Sequence, residues 1–158
     1  MVSVPLSLVD EATGNKERLR LWIRLLRVSR IVEAELRDRL KREFDSTLPR
    51  FDVMSALHRQ PDGMLMSDLS RFLLVSNGNV TGIVDRLVTD GYVMRAKRDG
   101  DKRTSVVRLT PAGAAFFERM AASHEQWIAE LLAGIGVSEV QRLSEMLHVF
   151  RSNWEGEH

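Results

Sequence analysis

The 158-residue chain contains no cysteine. Disulfides, thiolate zinc sites, a catalytic cysteine and thiol-based redox sensing are excluded together. Aromatic residues are scarce at 6%, which disfavours an aromatic-rich β-sandwich or carbohydrate platform. No apolar run approaches the ~20 residues needed to cross a bilayer, so no membrane partner is expected. The opening MVSVPLSLVDEATG has no basic start and carries Asp10 and Glu11, a poor match to a secretory signal. A soluble protein in the cytoplasm is the expectation. Four histidines, His58, His124, His148 and His158, are scattered without ligand spacing, so no metal and no cofactor are expected. No phosphate-binding glycine loop, HExxH or G-x-S-x-G is present, so nothing points to an enzyme.

What is present is ordinary globular composition, 44% apolar and 28% charged. The length suits one domain, or a small domain with helical extensions. The formal net charge of +1 says nothing about partners, but its distribution does. Residues 16–43 carry ten basic groups against five acidic, and residues 76–110 carry seven against four. Residues 113–158 reverse this, with three basic against seven acidic. A basic middle fits a polyanion-binding face, although solvated helix faces would look the same.

The hydrophobic spacing predicts a mainly α protein with a small β-hairpin. Residues 1–15 lack a sustained period, end in Gly14-Asn15 and read as a flexible arm. Residues 16–45 form a long helix, with Trp22, Leu25, Leu26, Val32, Leu36 and Leu40 recurring at three or four. At ~1.5 Å per residue it is about 40 Å long and requires a partner surface. Thr47 and Pro49 mark the next helix start, which carries Phe51, Met54 and Leu57. A short helix, capped by Ser67, runs from Met66 to Leu73, and Ser76 caps another that ends at Asp90-Gly91. The period then changes to two. Strands at 92–94 and 104–109 flank a charged, glycine-containing turn, a hairpin. Thr110-Pro111 starts the first of two C-terminal helices, and Gly134-Ile135-Gly136 separates them.

Helix, tight turn, helix and hairpin in that order make a winged helix-turn-helix, spanning residues 46–110. The second helix of the pair presents Ser76, Asn77, Asn79, Thr81, Asp85 and Arg86, polar groups suited to base edges or, Asp85 apart, phosphates. Gly78 and Gly82 allow close backbone approach at a cost in helix propensity. The wing adds Arg95, Lys97, Arg98, Lys102 and Arg103, and an arginine at its tip can enter a narrow minor groove.

The segment VSNGNVTGIVDRLVTDGYVMRAKRDGDKRTSVVRLTPAG resembles the signature of the MarR family of bacterial winged helix-turn-helix regulators. The matching parts are Val80-Thr81 through Arg95 and the wing from Asp101 to Gly113, with Lys102 where many members have arginine. The resemblance extends from Arg18 to about Trp154. It implies a homodimer, with helices 16–45 and 111–158 as dimerisation helices. Its expected partner is double-stranded, pseudo-palindromic operator DNA. It also implies a repressor released by a small-molecule effector.

The absence of cysteine excludes the family's peroxide-sensing branch. An aromatic acid or its acyl-CoA thioester is then the expected effector class. Candidate lining residues are Trp22, Leu26, Phe51, Met54 and His58, with Arg24 or Arg27 to pair a carboxylate. Arg20, Arg24, Arg27 and Arg30 share one side of the first helix, and such a stripe could hold coenzyme A phosphates. TLPRFDVM and FLLVSNGNVTGIVDRLV are similar to regulators of hydroxycinnamate and aromatic-acid catabolism. Structural packing is the simpler role for the tryptophans, Phe51 and Met54. The alternative function is a winged-helix protein-interaction module without DNA binding, and the basic wing argues against it.

Overall fold

The first helix begins ten residues earlier than the spacing predicts. In a computed structural model that describes residues 6–73, 77–97 and 105–155, α1 spans Leu6–Phe44. Residues 6–15, expected as a flexible arm, form its first turns. Gly14 costs a helix only about 1 kcal/mol relative to alanine, which does not break it. Asn15 Oδ1 accepts from Arg18 Nη1 at 3.2 Å, one turn on.

Two compact units make up the chain, residues 1–122 and 123–158. The first contains α2 (Leu48–His58), β1 (Met64–Leu65), α3 (Met66–Phe72), α4 (Asn77–Thr89), β2 (Val93–Lys97) and β3 (Ser105–Leu109). Helix α5 (Pro111–Leu131) starts in the first unit and ends in the second, which also holds α6 (Val137–Glu155).

Capping chemistry sets several of these boundaries. Thr47 is extended, and its Oγ1 accepts from the Arg50 amide at 3.3 Å, opening α2. Helix α4 closes with a left-handed glycine: Gly91 has φ +80°, its amide reaches the Val88 carbonyl, and the Tyr92 amide reaches that of Leu87. Helix α3 departs from expectation. It starts at Met66 behind Leu65, without a side-chain cap from Ser67, because β1 runs straight into it.

The sheet has three antiparallel strands in the order β1-β3-β2, one more than the expected hairpin. Val93 pairs with Leu109 and Lys97 with Ser105, while Met64 and Leu65 pair with Val107 and Val106. Two residues are too few for β1 to show a period. Its position depends on Gly63, at φ +95°, where a Cβ would lie 2.5 Å from Val106 Cγ1.

The core of the first unit is one cluster. Leu40, Val53, Met54, Leu57, Leu69, Val80, Val84, Leu87, Val107 and Met120 are essentially without solvent exposure. Burying each such side chain contributes roughly 1.5–3 kcal/mol. An aromatic set joins α5 to the rest: Phe116 stacks on Tyr92 at 4.5 Å and meets Phe44 edge-on, and Phe117 lies 5.4 Å from Phe51.

Candidate nucleic-acid interface

Helix α4 is divided lengthwise by burial. Val80, Ile83, Val84 and Leu87 face the core, which fixes the helix in the unit. Asn79, Thr81, Gly82, Asp85 and Arg86 are exposed on the other side. The polar residues expected to read DNA therefore lie together on one accessible surface. At Gly82 a Cβ would meet nothing within 4 Å, so the backbone there is open to an approaching surface. Asn77 and Gly78 belong to the first turn of α4, where only the backbone is described, and Ser76 lies outside the described residues.

The wing's strands stand next to this helix. Arg95 of β2 pairs with Asp85 of α4, Nη2 to Oδ1 at 2.7 Å. Asp85, expected to face DNA, is exposed on that surface and carries this pair with the wing. The pair ties the recognition helix to β2. Lys97 is the last residue of β2 and its backbone alone is described. Arg98, Lys102 and Arg103 lie outside the described residues.

Two further ties hold α4, and neither was apparent from local pattern. At its C-terminal end, Asp90 Oδ2 accepts from Arg50 Nη2 of α2 at 2.5 Å. The Arg50 side chain is only 19% exposed, and its Nε is buried without a partner among the described residues. The second tie is Thr110. Its amide donates to the Tyr92 carbonyl at 3.0 Å, and its Oγ1 donates to the Gly91 carbonyl at 2.7 Å. The same Oγ1 accepts from the Gly113 amide at 3.0 Å, capping α5. A Cβ at Gly113 would lie 1.9 Å from the Tyr92 carbonyl oxygen. Recognition helix, wing and α5 thus converge on a few backbone atoms of residues 91, 92, 110 and 113. The sequence signal for this was Thr110-Pro111 as a helix start, which revealed the cap and not the long-range contacts.

The expected effector residues divide into two groups. Trp22, Arg24 and Arg27 are exposed on α1, and Leu26 is half-buried. Phe51 and Met54 are core residues of α2, and Met54 has no exposed surface. His58 is exposed, 4.9 Å from the Phe117 ring, with Nε2 3.3 Å from Glu118 Oε1. It borders a cleft of about 320 Å³ with Leu57, Pro61, Leu109, Thr110, Pro111 and Ala114, which contains no residue of α1. A second cleft of similar size lies between α2 and α3 and includes Asp52, Arg59 and Phe72. Burial and the nearby Glu33 carboxylate raise the pKa of Asp52. Arg24, Arg27 and Arg30 make no ion pair among the described residues, whereas Arg20 pairs with Glu17 and Arg39 with Glu35. No group of metal-ligating side chains occurs among the described residues. No helix among them is long and apolar enough to cross a membrane.

The first unit is a winged helix-turn-helix with an accessible, polar recognition helix. Residues 46–105 match the model of the MarR family. The HTH-type transcriptional regulator YkoM of Bacillus subtilis is 30% identical over 138 residues, 84% of this chain and 88% of that protein. The crystal structure of a MarR family transcriptional regulator from Silicibacter pomeroyi aligns with a TM-score of 0.72 at 34% identity, covering 92% of this chain and 98% of that one. A mutant MarR from E. coli complexed with operator DNA aligns with a TM-score of 0.74 at 27% identity, covering 85% and 95%. The chain belongs to the MarR family, a family of transcriptional regulators and not of enzymes.

Proposed function

We propose that the protein is a homodimeric repressor that binds a pseudo-palindromic operator and is released by a small aromatic acid or its acyl-CoA thioester. The observation that carries DNA binding is the exposed face of α4, Asn79 to Arg86, held against the wing by Asp85–Arg95. Asn79, Thr81 and Arg86 would meet base edges and phosphates in the major groove, together with Ser76 and Asn77 at the helix start. Gly78 and Gly82 would let the backbone come close. Arg95, Lys97, Arg98, Lys102 and Arg103 would follow the backbone and the minor groove.

Dimerisation is supported by apolar surface that a single chain leaves in water. On α1, Leu19, Trp22, Val28 and Ile31 are each more than half exposed, and on α6 so are Met146, Leu147, Val149 and Phe150. Exposed surface of this kind marks an interface, and a second copy would cover it. The dimer would carry two recognition helices to half-sites about one DNA turn apart.

For the effector, the support is the run of arginines on α1, of which Arg24, Arg27 and Arg30 make no ion pair among the described residues. Arg24 and Arg27, three residues apart, share one face of α1 and could hold a carboxylate, while Trp22 and Leu26, four apart, share another face that could meet an aromatic ring. Phe51 and Met54 are core residues and would not line that surface. The effector acts only through its different affinity for DNA-competent and released states. Gel-shift binding to DNA upstream of the protein's own gene tests the reading, with aromatic acids and their coenzyme A thioesters added. Salt-sensitive binding relieved by one compound is expected. Absence of binding at low salt would favour a protein-interaction module.

A further inference from the structure

A cleft of about 510 Å³ opens beside the recognition helix. Its walls come from three elements: Arg37 and Lys41 at the end of α1, residues 47–50 at the start of α2, and Asn79, Ile83 and Arg86 of α4. Four cations, Arg37, Lys41, Arg50 and Arg86, line it against one carboxylate, Asp45. Two cations are already engaged, Lys41 by Asp45 and Arg50 by Asp90. Arg37 and Arg86 are exposed and have no carboxylate partner among the described residues. Arg37 and Lys41 are four residues apart, so both project from one face of α1.

We propose that this cleft is a second phosphate-binding site for DNA, extending the footprint from α4 onto the corner between α1 and α2. The inference rests on the proposed DNA binding, because Arg86 and Asn79 belong to both surfaces. Arg86 bridges the two, and a backbone phosphate beside the recognition helix meets Arg37 and Lys41 next. A phosphate entering the cleft competes with Asp45 for Lys41. Backbone contacts of this kind add affinity and fix register but carry no sequence information. They also make binding steeply dependent on salt, with about 0.9 added to the slope of log K against log salt for each phosphate engaged.

The test compares the full-length protein with Arg37→Ala and Asp45→Asn on operator and random duplexes between 50 and 200 mM salt. Both residues are exposed, and asparagine tolerates the left-handed backbone at Asp45 (φ 48°). Arg37→Ala should lower the slope by about 0.9, which makes its deficit at 50 mM about 3.5-fold larger than at 200 mM. The deficit should be equal on both duplexes. Asp45→Asn frees Lys41 and should tighten both complexes. An unchanged slope in Arg37→Ala, or weaker binding by Asp45→Asn, overturns the inference. So does a loss confined to the operator. If the wild-type protein binds neither duplex, the failure is of the DNA-binding reading itself. A thermal melt of each variant checks that the fold is intact.

Discussion

Glycine-to-alanine substitutions at two helical positions should change stability in opposite directions. At Gly113, in the first turn of α5, the new Cβ would lie 1.9 Å from the Tyr92 carbonyl oxygen and 2.8 Å from its carbon. Neither side can yield freely. Tyr92 is held by its own amide bond to Leu87 and by the Thr110 amide, and Thr110 also holds Gly91. Overpacking of this kind costs about 1–3 kcal/mol. Displacing α5 weakens two hydrogen bonds, worth about 0.5–1.5 kcal/mol each. Alanine's better helix propensity returns about 1 kcal/mol. The net loss is about 3 kcal/mol, which lowers Tm by about 6–12 °C in a chain of this size. Gly82→Ala is the control, since its Cβ meets nothing within 4 Å on exposed helix. It should raise Tm by about 2–4 °C, the effect of roughly 1 kcal/mol. Thermal denaturation at one fixed protein concentration reads both, because a dimer's Tm depends on concentration. A fall of less than about 2 °C in Gly113→Ala, well short of the expected shift, would refute the close contact between α5 and residue 92.

Four other outcomes are expected. A double-mutant cycle of Arg95→Ala and Asp85→Ala should give a coupling of about 0.5 kcal/mol, as for a largely exposed pair, and a value above about 2 kcal/mol would contradict that exposure. Arg95→Ala should nevertheless weaken operator binding by gel shift, since the wing loses its tie to α4. Asp52→Asn should raise Tm at pH 7. The folded-state pKa of Asp52 is raised above the ordinary 3.8, so the native state takes up the proton first as pH falls. Acid therefore relieves the wild-type penalty, and the variant's advantage should vanish as pH falls through the raised pKa towards 3.8; an advantage that persists there would refute burial as its cause. The pair Arg24→Ala with Arg27→Ala should blunt relief by an aromatic acid while leaving effector-free operator binding intact. Loss of the dimer in size-exclusion chromatography would instead assign both arginines to the interface.

The helical elements were legible because their signals are local. Apolar spacing at three and four marked α2, α4, α5 and α6, and Thr47, Gly91 and Thr110 marked ends that the chain does adopt. The division of α4 into a core face and a polar face also follows from its spacing alone. Strand β1 was not legible, because two residues carry no period. The start of α1 was not legible either, because Gly14-Asn15 resembles a break, whereas a single glycine costs too little to end a long helix.

By itself, the sequence determined the order of elements, the polar face of the recognition helix and the family to which they belong. Each depends on residues near one another in the chain. Tertiary structure alone decided which charges meet. Arg50 reaches Asp90 across forty positions, Arg95 pairs with Asp85 on the reading face, and α1 brings Arg37 and Lys41 beside Arg86. It also placed Met54 in the core and left Trp22 in water, though both sit at helical apolar positions. Periodicity tells that a helix has an apolar side. Only the packing of other helices against it determines which part of that side is covered within one chain.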